Sequence, residues 1–270
     1  MKTFVITGAS EGIGAEMARQ IAKAHGAQAA VVLAARNRER LEAVAAQCRA
    51  HGALIQVVPT NVSDEAQCRA LIAQAAQHSG RIDVLVNNAG VSAQALFEDV
   101  QAQDLHWYEE LMKVNLWGSV WCTHAALPHL KARRGRIVAV SSLAGLVGVP
   151  GRTAYSATKF AMTGFFEALR TELKSSGVSV TTAYPGVVAT LIRHRGLNAR
   201  GEAAGVSGLN EEDAMSPAEC ARLIIEGMDA RRREVVMTTR GKLGRFVKLL
   251  APGVIEKMAL AALKVEARPH

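Results

Sequence analysis

The chain has 270 residues and a mass of 28.7 kDa, and 49% of its residues are hydrophobic, which is enough to bury one substantial core. Its net charge of +8 is concentrated at one end, because residues 231–270 contain ten Lys or Arg and three Glu and so carry +7. The nearly neutral remainder shows no basic stripe interleaved with aromatic residues, which argues against nucleic-acid binding.

Targeting signals and cysteines point to a cytoplasmic protein. After Met1 and Lys2 the chain enters a strand-like run, which fits no signal peptide. No uninterrupted apolar run reaches the ~18 residues that a membrane-spanning helix needs. The cysteines are far apart and form no metal-type pair; they are Cys48, Cys68, Cys122 and Cys220. We expect reduced, mostly buried thiols and no metal site.

Short runs rich in Val, Ile and Leu alternate with Ala-rich helical stretches. Strands that are apolar along their whole length and separated by helices predict a parallel sheet covered on both faces. The predicted strands are Thr3–Thr7, Ala29–Ala34, Leu54–Val58, Val84–Val86, Arg136–Ser141, Val178–Ala183 and Glu234–Met237. We therefore predict an α/β fold with a doubly wound parallel sheet of the Rossmann type in one domain, residues 1–238, with ligands at the carboxyl ends of the strands.

A glycine-rich turn follows the first strand. Glycine at positions 8, 12 and 14 lets the backbone turn tightly and approach a diphosphate, whose charge the N-terminus of a helix beginning near Ile13 would stabilise. The spacing is G-x-x-x-G-x-G rather than the G-x-G-x-x-G of the general dinucleotide fingerprint. Such a cluster can be only a tight turn, but its place in the α/β pattern favours a cofactor site. The candidate contacts are Gly8, Ser10, Gly12, Ile13 and Gly14.

The end of the second strand bears on the choice between NAD and NADP. An NAD site normally places Asp or Glu here to bind the ribose 2′-hydroxyl, whereas an arginine suits a 2′-phosphate. Ala35 stands where that acid would be and Arg36 follows it, so we prefer NADP. The alternative is that Arg36 and Arg38 are ordinary solvated charges at the start of a helix.

Two helical stretches, residues 104–130 and the stretch that begins at Tyr155, are apolar nearly all round. A helix with two apolar faces needs two burial surfaces, and the sheet supplies only one. We predict a homodimer, or a homotetramer built from it, packed through these helices. Asn115 is a polar residue within the first of these stretches. It is either a core amide whose hydrogen bonds are satisfied or part of a functional site.

Tyr155 and Lys159 lie four residues apart in a helix predicted over Tyr155–Leu173, so they share one helix face. The pKa of a free tyrosine is about 10, but a nearby cation stabilises a phenolate, which suits a general acid or base. Alone, this spacing occurs by chance on many solvated helices. Ser142 ends the fifth predicted strand, and Ser141 is the weaker candidate because successive strand residues point to opposite faces.

Together these motifs resemble the classical short-chain dehydrogenase/reductase family over roughly residues 3–190. The matching residues are Thr7-Gly8-Ala9-Ser10-Glu11-Gly12-Ile13-Gly14, Asn87-Asn88-Ala89-Gly90, Asn115, Ser142, Tyr155, Lys159 and Pro185-Gly186. The resemblance implies hydride transfer between a nicotinamide cofactor and a carbonyl/alcohol pair. It implies that Ser142 holds the substrate oxygen, that Tyr155 gives or takes the proton, and that Lys159 assists Tyr155 and binds the nicotinamide ribose. Asn115 would connect Lys159 to solvent through a water.

The resemblance also implies further cofactor contacts. Asn61 and Val62 replace the usual Asp-Val at the adenine ring, and Thr190 is expected at the nicotinamide carboxamide, although it can be a plain loop threonine. Glu11 counts against NADP, since many NADP-using relatives carry a basic residue in the glycine turn. The implied contacts are Asn61, Val62, Asn88, Ala89, Gly90, Tyr155, Lys159, Pro185, Gly186, Val188 and Thr190.

The substrate side is less distinctive. Residues 143–150 with Val91, Leu96 and Phe97 suggest an apolar pocket wall, and residues 187–216 are long enough to form a lid. A lipophilic ketone or secondary alcohol fits better than a sugar, although these can be only packed loop residues. The alternatives to an NADP-dependent enzyme are an NAD-dependent alcohol dehydrogenase and a non-catalytic cofactor-binding sensor or scaffold.

The C-terminal tail, residues 239–270, combines an apolar stripe with basic residues. The stripe comprises Leu243, Phe246, Val247, Leu250, Val254, Ile255, Met258 and Ala262, interrupted near Pro252-Gly253. Lysines and arginines lie largely off it: Lys242, Arg245, Lys248, Lys257 and Lys264. Such a pair of basic amphipathic helices can lie in a membrane interface, and it can equally pack on the body or across a dimer.

Overall fold

The computed structural model describes residues 1–205 and 214–266. A seven-stranded sheet forms its centre, with the strand order β3-β2-β1-β4-β5-β6-β7 and every pairing parallel. The strands are β1 (Lys2–Thr7), β2 (Ala29–Ala35), β3 (Leu54–Pro59), β4 (Val84–Asn87), β5 (Arg136–Val140), β6 (Ser179–Tyr184) and β7 (Glu234–Val236). No boundary departs by more than one residue from its predicted place. The predicted doubly wound sheet is confirmed.

Helices cover both faces of the sheet. The helices are α1 (Gly12–His25), α2 (Arg38–Arg49), α3 (Glu65–Ser79), α4 (His106–Met112), α5 (Gly118–Arg133), α6 (Thr153–Glu172), α7 (Pro217–Asp229), α8 (Thr239–Leu250) and α9 (Pro252–Glu266). One core cluster joins α1, α2 and α7 to one sheet face, and a second joins α3, α5 and α6 to the other. Burial on both faces explains why the strands are apolar along their whole length.

The strand order places the glycine turn at the centre of the sheet. The chain moves outwards from β1 to β3 and then returns, so that β4 pairs with the free side of β1. In open parallel sheets the crevice for ligands lies at the carboxyl ends of the strands where the order reverses. The turns that follow β1 and β4, Gly8–Glu11 and Asn88–Gly90, therefore lie next to each other.

The long helix predicted over residues 104–130 is not continuous. Between α4 and α5 lies a π-helical turn, Lys113–Trp117, in which the Gly118 N–H donates to the Lys113 carbonyl. A π turn inserts one extra residue into the helix and rotates the side chains that follow it. In this turn Asn115 is fully buried, whereas Trp117 is 45% exposed.

The tail forms α8 and α9, which are separated at Ala251, next to the predicted interruption. One side of α8 packs on the body, because Lys248 Nζ donates to the Leu146 carbonyl at 3.0 Å and lies 4.7 Å from the ring centroid of Phe160. Other apolar side chains of the tail stay exposed, among them Leu249 and Leu250. Ala262 and Lys264 lie outside the residues whose side chains are described. Among the described helices, none combines the length and apolar character needed to cross a bilayer.

Candidate active site

Tyr155 and Lys159 occupy the first turns of α6, where both side chains are buried, with exposures of 7% and 3%. Lys159 Nζ lies 5.7 Å from the ring centroid of Tyr155 and donates to the Val140 carbonyl at 3.0 Å. Burial lowers the pKa of Lys159 from its ordinary value, and Tyr155 opposes this shift. The ammonium group and the phenol therefore lie close together in a buried setting, which suits proton exchange at the Tyr155 oxygen.

The two serines at the end of β5 have different surroundings. Ser141 is buried, and its hydroxyl donates to the Lys159 carbonyl at 3.2 Å on the α6 side. Ser142 is only partly buried, and its Oγ accepts a hydrogen bond from the Ala144 N–H at 3.2 Å. The Ser141 hydroxyl is therefore engaged within the core, whereas the Ser142 hydroxyl is the more accessible of the two.

Asn115 connects the π turn to two neighbouring segments. Its Oδ1 accepts from the Val91 N–H at 2.8 Å, and its Nδ2 donates to the Val91 carbonyl at 2.9 Å and to Thr158 Oγ1 at 3.0 Å. It is thus a satisfied core amide, which was one of the two interpretations. A Cβ on Gly90 would lie 3.2 Å from Asn115 Oδ1 and 3.7 Å from Lys159 Nζ, so these three residues converge. The water relay through Asn115 stays a prediction.

A network centred on Thr7 and Asn88 joins the turns after β1 and β4. Thr7 Oγ1 accepts from the N–H groups of Asn88 and Ala89 at 3.0 and 3.1 Å, while Asn88 Nδ2 donates to the carbonyls of Thr7 and Gly8 at 3.0 and 3.1 Å. Asn88 therefore shapes the glycine turn from behind. Thr7 belongs to the motif matched in the sequence, but nothing there indicated that its hydroxyl contacts residues about 80 positions away.

The glycine turn has the geometry of a diphosphate cradle. Gly8 has a φ of 66°, in the left-handed region, and a Cβ there would lie 2.8 Å from Ala89 Cα. No side chain caps the N-terminus of α1, because Glu11 at the N-cap makes no capping hydrogen bond. The first N–H groups of α1 are therefore available to an anion, and the turn fits a dinucleotide.

The end of β2 lies against this turn, since the Ala9 N–H donates to the Ala34 carbonyl at 3.1 Å. Arg36 is exposed there and makes no hydrogen bond or ion pair with the described residues. Glu11, by contrast, pairs with Arg40 at 3.2 Å and also with Arg195. Neither of these pairs was predicted from the sequence.

The adenine-side residues have local roles in the structure. Asn61 Oδ1 accepts from the N–H and hydroxyl of Ser63 at 3.2 and 2.9 Å, which closes the turn after β3. Val62 is buried against α5, where a Cβ on Gly118 would lie 2.8 Å from Val62 Cβ. Their contacts with adenine stay a prediction.

The segment after β6 approaches the glycine turn. The Pro185 carbonyl accepts from the Leu143 N–H at 3.0 Å, and a Cβ on Gly186 would lie 3.6 Å from a Leu143 methyl. Val188 is buried, and the Thr190 methyl lies 3.1 Å from where a Cβ on Gly12 would stand. Thr190 is thus in contact with the turn.

Part of the predicted lid, residues 206–213, lies outside the described residues. Its earlier part is tied to the chain after β4, because the Leu197 N–H donates to the Ser92 carbonyl and the Gln94 N–H to the Leu197 carbonyl, both at 2.9 Å. A cavity of about 270 Å³ lies between these segments, lined by Ser92, Ala93, Gln94, Arg193, Gly196, Asn198 and Ala204.

The surroundings of Tyr155 are largely apolar. It belongs to a cluster with Trp107, Leu111, Ala144 and Ala154, against which Val91 and Val149 pack. Leu96 and Phe97, expected in the pocket wall, are instead exposed. Arg152, which sequence reasoning missed, places its guanidinium carbon 4.5 Å from the Tyr155 ring centroid.

Comparison with known proteins agrees with this geometry. Residues 2–200 match the family model described as short chain dehydrogenase. The "11-beta-hydroxysteroid dehydrogenase-like 2" of Arabidopsis thaliana is 35% identical over 257 residues, which cover 94% of this chain and 79% of that protein. The "11-beta-hydroxysteroid dehydrogenase-like 3" of the same plant is 42% identical over 191 residues, 70% of this chain and 60% of that protein.

A solved structure gives the same result. An alcohol dehydrogenase from the archaeon Thermococcus sibiricus, complexed with 5-hydroxy-NADP, superposes with a TM-score of 0.74 at 26% identity, covering 88% of this chain and 96% of that one. The fold, the family match and these relatives together identify the chain as a member of the short-chain dehydrogenase/reductase family, an oxidoreductase that acts on CH–OH groups with a nicotinamide cofactor.

Proposed function

We propose that the protein is an NADP(H)-dependent oxidoreductase that interconverts a lipophilic ketone and its secondary alcohol. The observation that carries this proposal is the placing of Ser142, Tyr155 and Lys159 at the carboxyl ends of the strands, beside a turn that fits a dinucleotide. A non-catalytic cofactor-binding protein has no need of a buried lysine beside a tyrosine, and burying that lysine costs stability.

The residues divide the chemistry between them. When bound, the nicotinamide supplies or accepts the hydride. Ser142 donates a hydrogen bond to the substrate oxygen, and Tyr155 gives that oxygen a proton during reduction or removes one during oxidation. Lys159 stabilises Tyr155 while its hydroxyl lacks the proton. The Lys159 ammonium nitrogen lies 5.7 Å from the centroid of the Tyr155 ring, close enough for this role.

The preference for NADP rests on the end of β2. Arg36 is exposed beside the glycine turn, and Ala35 supplies no carboxylate to bind a 2′-hydroxyl. An arginine suits a 2′-phosphate because it can donate two parallel hydrogen bonds to phosphate oxygens. The related alcohol dehydrogenase that was solved with 5-hydroxy-NADP supports the same choice.

The choice of a lipophilic substrate rests on the apolar cluster around Tyr155. Trp107, Leu111 and Val149 make these surroundings largely apolar, with the Arg152 guanidinium as the charged group over the Tyr155 ring. An apolar skeleton that carries one oxygen is the class of substrate they suit. The names of the plant relatives, 11-beta-hydroxysteroid dehydrogenase-like, indicate a hydroxyl on a lipophilic skeleton of this kind.

Parallel titration with NADPH and NADH, followed by fluorescence, tests the cofactor assignment. We expect tighter binding of NADPH, and we expect Arg36→Asp to weaken NADPH but not NADH. Lys23→Asp, which reverses an exposed charge in the last turn of α1, is the matched control and leaves both affinities unchanged. Equal or tighter binding of NADH would assign the site to NAD.

A substrate screen tests the reaction. Lipophilic ketones with NADPH and steroid-like secondary alcohols with NADP⁺ are offered to the parent and to Tyr155→Phe, which keeps the ring and removes the hydroxyl. We expect turnover by the parent alone. Cofactor binding without turnover of any member of either class would favour a sensor over an enzyme.

We also propose a homodimer formed through α5 and α6. Apolar surface is exposed on α6 at Phe160 and just before α5 at Trp117, whose ring stacks on Trp121 of α5 with ring centroids 5.9 Å apart. Sedimentation velocity of the parent should give a dimer, and Trp117→Glu should shift it towards the monomer. A monomeric parent would contradict this arrangement.

The tail supports a peripheral membrane contact. Leu249, Leu250 and Met258 are more than half exposed, and Lys242 and Lys257 are exposed near them. Anionic lipid suits this combination of apolar and basic side chains. We expect co-sedimentation with anionic liposomes at low salt, its loss in Leu250→Glu, and its retention in Leu54→Glu, an exposed leucine of β3. Binding that survived deletion of residues 240–270 would show that the tail is not its cause.

We place the protein in the cytoplasm, at such a membrane surface. The four cysteines support this location, because all are buried and unpaired, as in a reducing compartment. Fractionation of cells that produce the protein, before and after a high-salt wash, measures this distribution.

A further inference from the structure

An ion-pair cluster joins the glycine turn to two distant segments. Glu11 lies within the turn, and its Oε2 pairs with Arg40 Nη1 at 3.2 Å while its Oε1 pairs with Arg195 Nη1. Arg40 belongs to the first turn of α2, and Arg195 to the chain after β6. One carboxylate thus holds two guanidinium groups from separate parts of the fold beside the end of β2.

This place is strongly basic in spite of Glu11. The Ala9–Ala34 hydrogen bond brings the turn against the end of β2, where Arg36 is exposed. Two arginines therefore pair with a single carboxylate, and a third, Arg36, is exposed at the neighbouring strand end. The neighbouring charges of Arg38 and Glu39 offset each other. A phosphate group at this position would meet an excess of positive charge.

We propose that Glu11 is a positioning residue for the 2′-phosphate, which holds Arg40 and Arg195 beside Arg36 to complete the phosphate site. The inference rests on the proposed use of NADP(H). An acid in the glycine turn then assembles the basic site instead of repelling the phosphate.

The donor inventory of arginine permits this arrangement. A guanidinium group has five N–H donors, and Arg40 uses only its Nη1 on Glu11. Its remaining N–H groups can donate to a phosphate while the pair with Glu11 persists. Arg195 likewise uses Nη1, so both arginines can contact the carboxylate and a phosphate together.

These ion pairs are exposed to solvent. Because of this exposure they contribute little to stability, and they are accessible to a ligand. The side chains of Glu11, Arg40 and Arg195 are 39%, 49% and 43% exposed, and ion pairs this exposed contribute little to the free energy of unfolding. Their effect should therefore appear in cofactor affinity and not in thermal stability.

The test measures dissociation constants of NADPH and NADH for Glu11→Gln and Arg40→Gln, together with the melting temperature. The matched control is Glu42→Gln, because Glu42 pairs with Arg49 at the same 3.2 Å with similar exposure at the far end of α2. We expect Glu11→Gln to weaken NADPH by about threefold to tenfold and Arg40→Gln by about tenfold. NADH should change by less than about twofold in either variant, and the control should change neither affinity.

The sign of the Glu11→Gln effect decides the matter. Tighter NADPH binding would show that the carboxylate repels the phosphate, and equal weakening of both cofactors would show that it only holds the segment after β6. Either result, or unchanged NADPH affinity, overturns the inference and leaves the proposed function standing. A parent protein that prefers NADH overturns the NADP assignment and the inference together.

Discussion

Substituting Gly14 by alanine tests how closely the glycine turn is packed. A Cβ at this position would lie 2.6 Å from Asn88 Nδ2 and 2.9 Å from the Gly8 carbonyl carbon, and closer still to the Gly8 carbonyl oxygen. Ordinary contacts begin at 3.4 Å, so the overlap with Asn88 alone is about 0.8 Å. The Gly8 atoms belong to the backbone, so relief requires the turn itself to move.

The expected cost follows from two effects. Overpacking in a close-packed region typically lowers stability by about 1–3 kcal/mol. Displacing Asn88 Nδ2 also weakens its hydrogen bonds to Thr7 and Gly8, each worth about 1 kcal/mol. We expect Gly14→Ala to lower the free energy of unfolding by about 2–4 kcal/mol and to weaken NADPH binding more than about tenfold, because the moved carbonyl distorts the diphosphate cradle.

Urea unfolding and NADPH titration measure the two effects. Gly164→Ala is the matched control, since Gly164 lies inside α6 and a Cβ there would meet nothing within 4 Å. That variant should bind NADPH normally and gain about 0.5–1 kcal/mol from helix propensity. If Gly14→Ala bound NADPH within about threefold of the parent and unfolded at the same urea concentration, the packing argument would be wrong.

Four further variants test the site and the electrostatics. Ser142→Ala should lower kcat at least about 100-fold at unchanged stability. Ser141→Ala should keep the parent's kcat but lower the free energy of unfolding by about 1 kcal/mol. Steady-state kinetics and urea unfolding measure these effects. Burial lowers the pKa of Lys159, so the folded state is penalised at neutral pH and this penalty fades as pH rises towards the ordinary lysine value of 10.5. The free energy of unfolding of Lys159→Met, measured by urea unfolding relative to the parent, should accordingly fall between neutral pH and pH 10.5. A difference that stayed constant with pH would contradict the lowered pKa of Lys159. Burial alone would raise the pKa of Asp83, but hydrogen bonds from Arg81 and a backbone N–H lower it below 3.8. Asp83→Asn should therefore reduce the melting temperature at neutral pH, and its difference from the parent should vanish at strongly acidic pH, where both lack the charge.

The strands and the main motifs were predictable because their signals are local. A strand buried on both faces needs an unbroken apolar run, and such runs located all seven strands to within one residue. The spacing of Tyr155 and Lys159 likewise dictated a shared face once the segment was helical. Ser142 and Ser141 could be told apart because alternation along a strand sends neighbouring side chains to opposite faces.

The π turn had no such signal. Its side chains follow an apolar pattern that is typical of a continuous α-helix. The extra residue of the π turn is stabilised only by contacts that form in the folded chain. Asn115 satisfies the backbone of Val91, which lies 24 residues earlier, and a side chain of α6, which lies 43 residues later. Because the periodicity of one helix carries no information on those partners, the predicted helix over residues 104–130 was wrong at this point.

The tail shows the same limit in another form. Its apolar stripe predicted two helices and their interruption, but a stripe is equally suited to a protein core and to a membrane. Only the tertiary structure separates the side of α8 that contacts Leu146 and Phe160 from the residues that stay exposed, such as Leu250.

The sequence by itself determined the order of elements, the doubly wound sheet, the glycine turn and the shared helix face of Tyr155 and Lys159, since burial, backbone freedom and helical spacing act over a few residues. Tertiary structure alone decided what surrounds them: the Thr7–Asn88 network behind the turn, Arg152 over Tyr155, and Glu11 between Arg40 and Arg195, 29 and 184 residues away. Long-range polar contacts depend on how separate elements meet in space, and no local pattern of residues specifies that meeting.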